Sequence, residues 1–216
     1  MNVVPTSYGA LVAQNGLAAS HRQVIDLVTP GSRVLDVGCA EGYVAAELLA
    51  RGCSVVGIER DPRAAAIARE RGIEVLGLDV EAVPLAAARF DVVVFADVLE
   101  HLRDPVAVLR QALPAGRAVV SLPNVAHWTA RRSLLRGRFP HEGFGLFDRT
   151  HLHFYTRETA HELAREAGFR VVAERFAGAP LPLESRIPAL RRVRSLAVRA
   201  RPELFALQTV LELEPL

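Results

Sequence analysis

The sequence predicts an α/β domain, a mostly parallel sheet with helices on both faces. Three observations predict it. Short β-rich runs alternate with Ala/Arg/Glu/Leu-rich stretches along most of the chain. The runs are near-continuous in Val, Leu and Ile rather than alternating, as in strands covered on both faces. Two of the helical stretches open on Asp-Pro, a capping residue followed by a proline preset for the first turn. A chain of 216 residues, half of them apolar, suits one compact domain with a sizeable core.

The elements follow in order. A helix is expected from roughly Tyr8 to Val28. Arg33 to Val37 (RVLDV) makes the first strand and Glu41 to Ala50 a helix. Ser54 to Ile58 (SVVGI) is the second strand, and Asp61-Pro62 opens the next helix. Ile73 to Gly77 is the third strand and Phe90 to Phe95 (FDVVVF) the fourth. Asp104-Pro105 starts a capped helix that ends before Gly116, and Arg117 to Leu122 (RAVVSL) is the fifth strand. A helix from Thr156 to Ala167, closed by Gly168, leads to a strand from Phe169 to Phe176. Leu204 to Leu213 is the final strand, the seventh. Between the fifth strand and the Thr156 helix, Asn124 to Tyr155 has no clean period and is rich in Arg, His, Phe and Gly. So long an irregular stretch in a compact domain is usually functional.

Composition narrows the function classes. Net charge is only +2, which gives no whole-molecule argument for a nucleic-acid partner. All 26 basic residues are arginine, so no lysine Schiff base or P-loop lysine is available. Cys39 and Cys53 lack CxxC spacing and read as small buried residues rather than a disulfide or metal pair. No signal-peptide pattern opens the chain and no apolar run reaches the roughly 20 residues of a membrane span, so a cytoplasmic enzyme is expected.

The sharpest motif is VLDVGCAEG, Val34 to Gly42. A strand ending in Asp36 turns through Gly38, Cys39, Ala40 and Gly42 into a helix. Small residues there let a ligand approach the backbone, and the helix amino terminus suits an anionic group. Dinucleotide-binding proteins use similar turns, so the motif alone is weak. Glu59 at the end of the second strand can accept both hydroxyls of a ribose, and Asp79 after the third can accept from an adenine amino group. With Asp36, these are three acids at three successive strand ends, on the edge where open α/β sheets bind ligands.

Here the sequence resembles the class I S-adenosylmethionine (SAM)-dependent methyltransferases, and in particular a bacterial small-molecule subgroup of the type 11/12/23 kind. VLDVGCAEG resembles their first motif, GIERD the second, GLDVEAVPL the third, and FDVVVFADVLEHLRDP the fourth strand with its turn. The resemblance covers about Arg33 to Val172. It implies a Rossmann-like doubly wound sheet of seven strands with the last antiparallel, and SAM as cofactor, leaving S-adenosylhomocysteine. It places Asp36 and Gly38 near the methionine moiety, Glu59 on the ribose, and Asp79 with Val80 beside the adenine. Cys39, Ala40, Gly42 and Arg60 fall within the same motifs, and Ala96, Asp97, Val98 and His101 border the cleft. Ala40 stands where glycine is usual. Alanine is comfortable at negative φ, so a slightly tighter pocket is expected rather than lost binding.

On this reading residues 1–216 form one methyltransferase domain: a helical cover (1–30), a cofactor-binding half (31–122), a lid or acceptor insertion (123–155), and a carboxyl-terminal half (156–216) with an Arg-rich insertion (178–202). The transfer needs an acceptor, and a hydroxyl acceptor needs a base, for which histidine is suited at neutral pH. PNVAHW and FDRTHLHFYT resemble elements of that subgroup, giving Asn124 with His127, and Asp148, Arg149 and Thr150 with His151. His127 and His151 are the candidate bases. Asp148 to His151 can equally pin the insertion to the sheet, and His101 can equally serve as a cap. No histidine has HExxH-type spacing, so no metal is expected; His151-x-His153 is a weak signal on its own. Trp128, Phe139, Phe144, Phe147, Phe154 and Tyr155 form either an apolar wall for the acceptor or the insertion's own core. Tyr8 either covers the cofactor or packs.

The late arginines, Arg186, Arg191, Arg192, Arg194, Arg199 and Arg201, alternate with apolar residues as in an amphipathic helix. A solvated face or homodimer contact is the first reading of them and phosphate binding the second. The expected function is methyl transfer to a small molecule, most simply to a hydroxyl in a natural-product, sugar or quinone pathway. N-methylation, RNA or protein methylation, a non-catalytic SAM-fold binding protein and a nicotinamide oxidoreductase are the alternatives.

Overall fold

The strands are β1 (Arg33–Val37), β2 (Ser54–Ile58), β3 (Glu74–Leu76), β4 (Val92–Ala96), β5 (Ala118–Pro123), β6 (Phe169–Gly178) and β7 (Ala206–Pro215). In the computed structural model they form one sheet in the order β3-β2-β1-β4-β5-β7-β6. The structure describes residues 12, 14, 16–181, 184 and 186–216. Neighbours among β1 to β5 pair in parallel, while β7 runs antiparallel to both β5 and β6. The antiparallel last strand is therefore slotted between β5 and β6.

The helices are α1 (Ala19–Leu27), α2 (Tyr43–Ala50), α3 (Pro62–Glu70), α4 (Pro105–Arg110), α5 (Trp128–Leu135), α6 (Arg157–Glu166), α7 (Ala189–Ala200) and α8 (Pro202–Phe205). The strands read as continuous apolar runs because their two faces feed two cores. Val34, Val92, Val94, Val119 and Val210 point to α1, α2 and α3, burying Val24, Leu48 and Ala68. Leu35, Val93, Phe95, Val120 and Leu211 point to α4 and α6, burying Leu109 and Leu163. Cys39 and Cys53 are free and buried, as their spacing suggested.

Local chemistry sets the boundaries. Asp61 caps α3 through the Arg63 N–H and Asp104 caps α4 through the Ala107 N–H, each before its proline. Thr156 and Thr159 close a reciprocal capping box on α6. Three expectations shift. β7 begins at Ala206 rather than Leu204 because Pro202–Phe205 turn as a short helix. The irregular segment 124–155 contains α5, which buries only Ala130. The helix expected from Tyr8 to Val28 is broken at residues 16–18, where Gly16 has positive φ, before Ala19–Leu27, and Tyr8 lies outside the described residues. The Arg-rich segment forms α7, as its spacing predicted.

Strand order reverses beside β1, whose neighbours are β2 and β4. The crevice at the carboxyl edge there is where open α/β sheets place ligands. A larger groove of about 660 Å³ lies under the β3–β4 connection, lined by Leu35, Val56, Ile58 and Leu76, but none of Asp36, Glu59 or Asp79 lines it.

Candidate cofactor and acceptor site

The turn after β1 is held against β2, where the Gly38 and Cys39 N–H groups both donate to the Ile58 carbonyl at 2.8 and 3.0 Å. Gly38 and Gly42 adopt φ of +69° and +76°. A β-carbon on Gly42 would come within 2.3 Å of Ile73 Cδ1, and one on Gly38 within 2.6 Å of Val98 Cγ2. Both positions therefore require glycine. Ala40 departs from expectation. Its φ is +48°, in the left-handed region, so it occupies a glycine's conformation at a steric cost rather than relaxing to negative φ.

Three acids line the edge from β1 to β3. Asp36 is buried, and among the described residues its Oδ2 has no hydrogen-bond partner. Burial, with the Glu59 charge second, pushes its pKa up to about 7. Glu59 accepts from the Ala40 N–H at 3.0 Å and from the Asp61 N–H at 2.7 Å, tying the end of β2 to the glycine turn. Asp79 is half-buried and accepts from the Glu81 N–H at 3.0 Å; Val80 beside it is buried, and Arg60 is exposed. Residues 36–42, 59 and 79–80 thus share one edge, with main-chain N–H groups and carboxylates on a strained turn. That arrangement fits a nucleoside bearing a charged amino-acid arm.

The other half of the crevice follows β4 and β5. Ala96 ends β4, and Asp97 turns the chain with φ of +58°, next to half-buried Val98. Asp97 accepts from the Ser121 hydroxyl at 2.6 Å, and its Oδ2 lies 3.6 Å from His21 Nε2 of α1. Burial alone would raise its pKa, but hydrogen bonds from His21, Ser121 and Gln208 and the His21 charge hold it below the usual value. Glu100 is buried three residues on, and among the described residues neither carboxylate oxygen has a hydrogen-bond partner. Burial first, then the Asp97 and Asp148 charges, raise its pKa well above the carboxylate range. Asp97 and Glu100 line a cavity of about 80 Å³ with Pro123, Gly145, Leu146, Leu207 and Gln208.

The histidines sort by their contacts. The rings of His101 and His151 meet edge-on with centroids 4.8 Å apart. His101 Nδ1 bonds to the Thr150 carbonyl and hydroxyl at 3.2 and 3.0 Å, and that hydroxyl donates to Asp148 at 2.7 Å. His151 is buried beside Glu100, and burial, with His101 second, keeps its pKa below the usual value. His127 has a structural task. It is buried, and its Nδ1 caps α5, 2.7 Å from Thr129 Oγ1 and 3.4 Å from the Thr129 N–H. Asn124 is also structural, its amide donating to the carbonyls of Glu203 and Ala206. His153 stacks on Tyr155 at 6.2 Å. Phe139 meets Phe147 and Phe154 edge-on, while Leu146 and Phe147 pack with Ala130 as a small core. The aromatics divide: Phe147 serves the insertion's own packing and Tyr155 the main core.

The structure adds Glu100, His21, Ser121 and Gln208 to the residues expected here. A glutamate inside the run VLEHL, at a position otherwise fit for the core, was the one available signal. His21 and Gln208 arrive from remote segments and no spacing announces them.

A family model described as methionine biosynthesis protein MetW matches residues 18–190. A ubiquinone biosynthesis O-methyltransferase from Hahella chejuensis is 39% identical over 88 residues, 37% of each chain. The chain therefore spans little more than a third of the length of that curated relative. A SAM-dependent methyltransferase from Thermotoga maritima superposes with a TM-score of 0.68 at 21% identity, covering 97% of this chain and 95% of that one. The magnesium protoporphyrin IX methyltransferase of Synechocystis PCC 6803, with SAH bound, superposes at 0.64 and 14% identity, covering 99% and 90%. At those identities the likeness is one of fold.

Proposed function

The chain belongs to the MetW family, within the class I S-adenosylmethionine-dependent methyltransferases, and on that premise we propose that it transfers a methyl group from SAM to a small-molecule acceptor. The observation that carries this reading is Glu59 tied to the backbone of a glycine turn whose Ala40 and Gly42 adopt positive φ. Glu59 holds the ribose, Asp79 and Val80 the adenine, and Asp36 with the turn the amino-acid arm. When bound, the cofactor supplies an electrophilic methyl on a sulfonium: the acceptor's lone pair bonds to that carbon, the carbon–sulfur bond breaks, and the acceptor's proton is lost.

The chain's own residues must then seat the acceptor in line, exclude water and deal with that proton. The chamber of Asp97, Glu100, Leu146 and Gln208 is of the size that takes a small functional group. This supports a small acceptor over a nucleic acid or protein. Of the two histidines expected to act on it, His127 has one ring nitrogen engaged in capping α5. His151, buried beside Glu100, is the one we assign to activating the acceptor, and a hydroxyl is the acceptor we favour. The relative from Hahella chejuensis named above, matched over about a third of its length, is an O-methyltransferase by description, which agrees with that choice.

Calorimetric titration with S-adenosylhomocysteine tests the reading. Wild type binds and Glu59→Ala loses at least tenfold in affinity. Absence of binding to folded wild type refutes the methyltransferase reading.

A further inference from the structure

Glu100, His101 and His151 each bring one ligand-capable atom into a group whose members all lie within 4.8 Å of one another. We propose that these three residues form a binding site for a borderline divalent cation, Zn²⁺ by its chemistry, with a fourth position open toward the acceptor chamber. The proposal deepens the reading of that chamber as the acceptor site and rests on it; here His151 acts on the acceptor through the cation it holds rather than as a base itself.

Two imidazoles and one carboxylate are a ligand set that Zn²⁺ takes in sites that keep an open position. The carboxylate supplies a second, independent observation. Glu100 is fully buried and, among the described residues, neither of its oxygens has a hydrogen-bond partner. A carboxylate so placed is costly unless it meets a cation or keeps a proton. Its side chain also lines the cavity of about 80 Å³, so a cation held there is reachable by an acceptor.

The imidazoles are supported as metal ligands are. His101 Nδ1 is held by the Thr150 carbonyl and hydroxyl, the latter anchored by Asp148. One nitrogen of His151 is engaged by the Leu146 carbonyl. A ring that donates one N–H to a carbonyl carries its lone pair on the other nitrogen, the arrangement that orients a ligand. The two segments are also fastened together, because the Leu152 and His153 N–H groups donate to the Glu100 carbonyl at 2.8 and 3.1 Å. Tetrahedral Zn²⁺ with ligands at about 2.0–2.1 Å separates them by about 3.4 Å, so the set, whose candidate atoms lie within 4.8 Å of one another, must draw in by about an ångström to close on a cation. A cation in this position fixes an acceptor oxygen and makes its proton easier to lose.

The experiment is titration of the full chain, stripped with a chelator, with ZnCl2 by calorimetry and with CoCl2 by visible absorption. We expect one equivalent to bind and Co²⁺ to give a tetrahedral ligand-field spectrum. Glu100→Gln, which is isosteric, and His101→Asn, at a half-exposed position, each weaken binding at least tenfold, as does His151→Ala. S-adenosylhomocysteine is titrated into the Glu100→Gln and His151→Ala variants, and its retained affinity reports that they are folded; for His101→Asn, which borders the cofactor cleft, an unchanged circular dichroism spectrum and urea midpoint report it. Failure of wild type to bind either cation overturns the proposal, as does binding that these variants leave unchanged. Cation failure with intact S-adenosylhomocysteine binding removes this site and leaves the methyltransferase reading standing.

Discussion

Replacing Ala40 by glycine should make the ligand-free protein more stable, against the usual effect of introducing glycine. Ala40 has φ of +48° in the turn between β1 and α2. For an L-residue with a β-carbon, that conformation costs about 1–2 kcal/mol. Glycine removes the cost but widens the unfolded ensemble, which offsets about 0.4–1 kcal/mol. The two ranges net to a gain of about 0–1.6 kcal/mol, centred on about 0.8 kcal/mol. The hydrogen bond from the residue-40 N–H to Glu59 Oε2 is a backbone donor's and survives the change. In a chain of this size 1 kcal/mol moves Tm by about 2–4 °C, so Ala40→Gly should melt about 1–4 °C higher. Ala40→Val is the counterpart, since a β-branched residue fits the left-handed region still less well, and it should lose more than about 1 kcal/mol. Urea unfolding of the three proteins without ligand reads both. A glycine variant no more stable than wild type, with a valine variant that loses nothing, would show that the turn does not hold this strain.

Two further outcomes follow from the same turn. The Asp36 carboxyl, at about pKa 7 when folded and about 3.9 when unfolded, keeps its proton in the folded state after the unfolded chain has lost it. Its contribution to stability is therefore fullest below about pH 4 and falls as pH rises to about 7, by up to about 4 kcal/mol, and Asp36→Asn should remove that component of the slope in denaturant midpoints taken across this window. An unchanged slope in the variant assigns the effect elsewhere. A β-carbon on Gly57 would come within 2.5 Å of Cys39 Sγ and 3.1 Å of Cys39 Cβ. Gly57→Ala should cost about 1–3 kcal/mol and weaken S-adenosylhomocysteine binding by displacing the turn, and adding Cys39→Ala should recover much of both. Additive losses in the double variant would disprove the contact.

The two halves of the site differ in legibility for a physical reason. The cofactor half comes from consecutive βα units, so each acid sits at a strand end and each strand is marked by an apolar run. Asp36, Glu59 and Asp79 therefore gather from spacing alone, and the parallel strands were readable to within a residue or two. What spacing could not give was the dihedral of Ala40, since alanine's preference for negative φ is overridden where the chain is pinned on both sides. The Gly38 and Cys39 N–H groups hold the turn on one side, and Gly42, hard against Ile73 and Ala68, fixes it on the other.

The half of the site proposed for the acceptor is assembled from distant pieces. Its chamber takes Asp97 and Glu100 from the turn after β4, Pro123 from β5, Leu146 from the irregular segment and Gln208 from β7, while His21 reaches Asp97 from α1. α5 escaped the sequence reading for a related reason. Trp128, Leu134 and Leu135 are exposed and only Ala130 is buried, so no apolar stripe of period 3.6 exists, and the cap is a histidine rather than the Ser, Thr, Asp or Asn that marks a helix start. The polar groups of the chamber show the same dependence on tertiary structure. Asp97 and Glu100 lie three residues apart, yet Asp97 is satisfied by Ser121 and His21 while Glu100 has no hydrogen-bond partner among the described residues. Burial without such compensation favours the protonated carboxyl at Glu100, beside an ionised, compensated neighbour, and this contrast depends on β5 and α1 reaching one carboxylate and not the other.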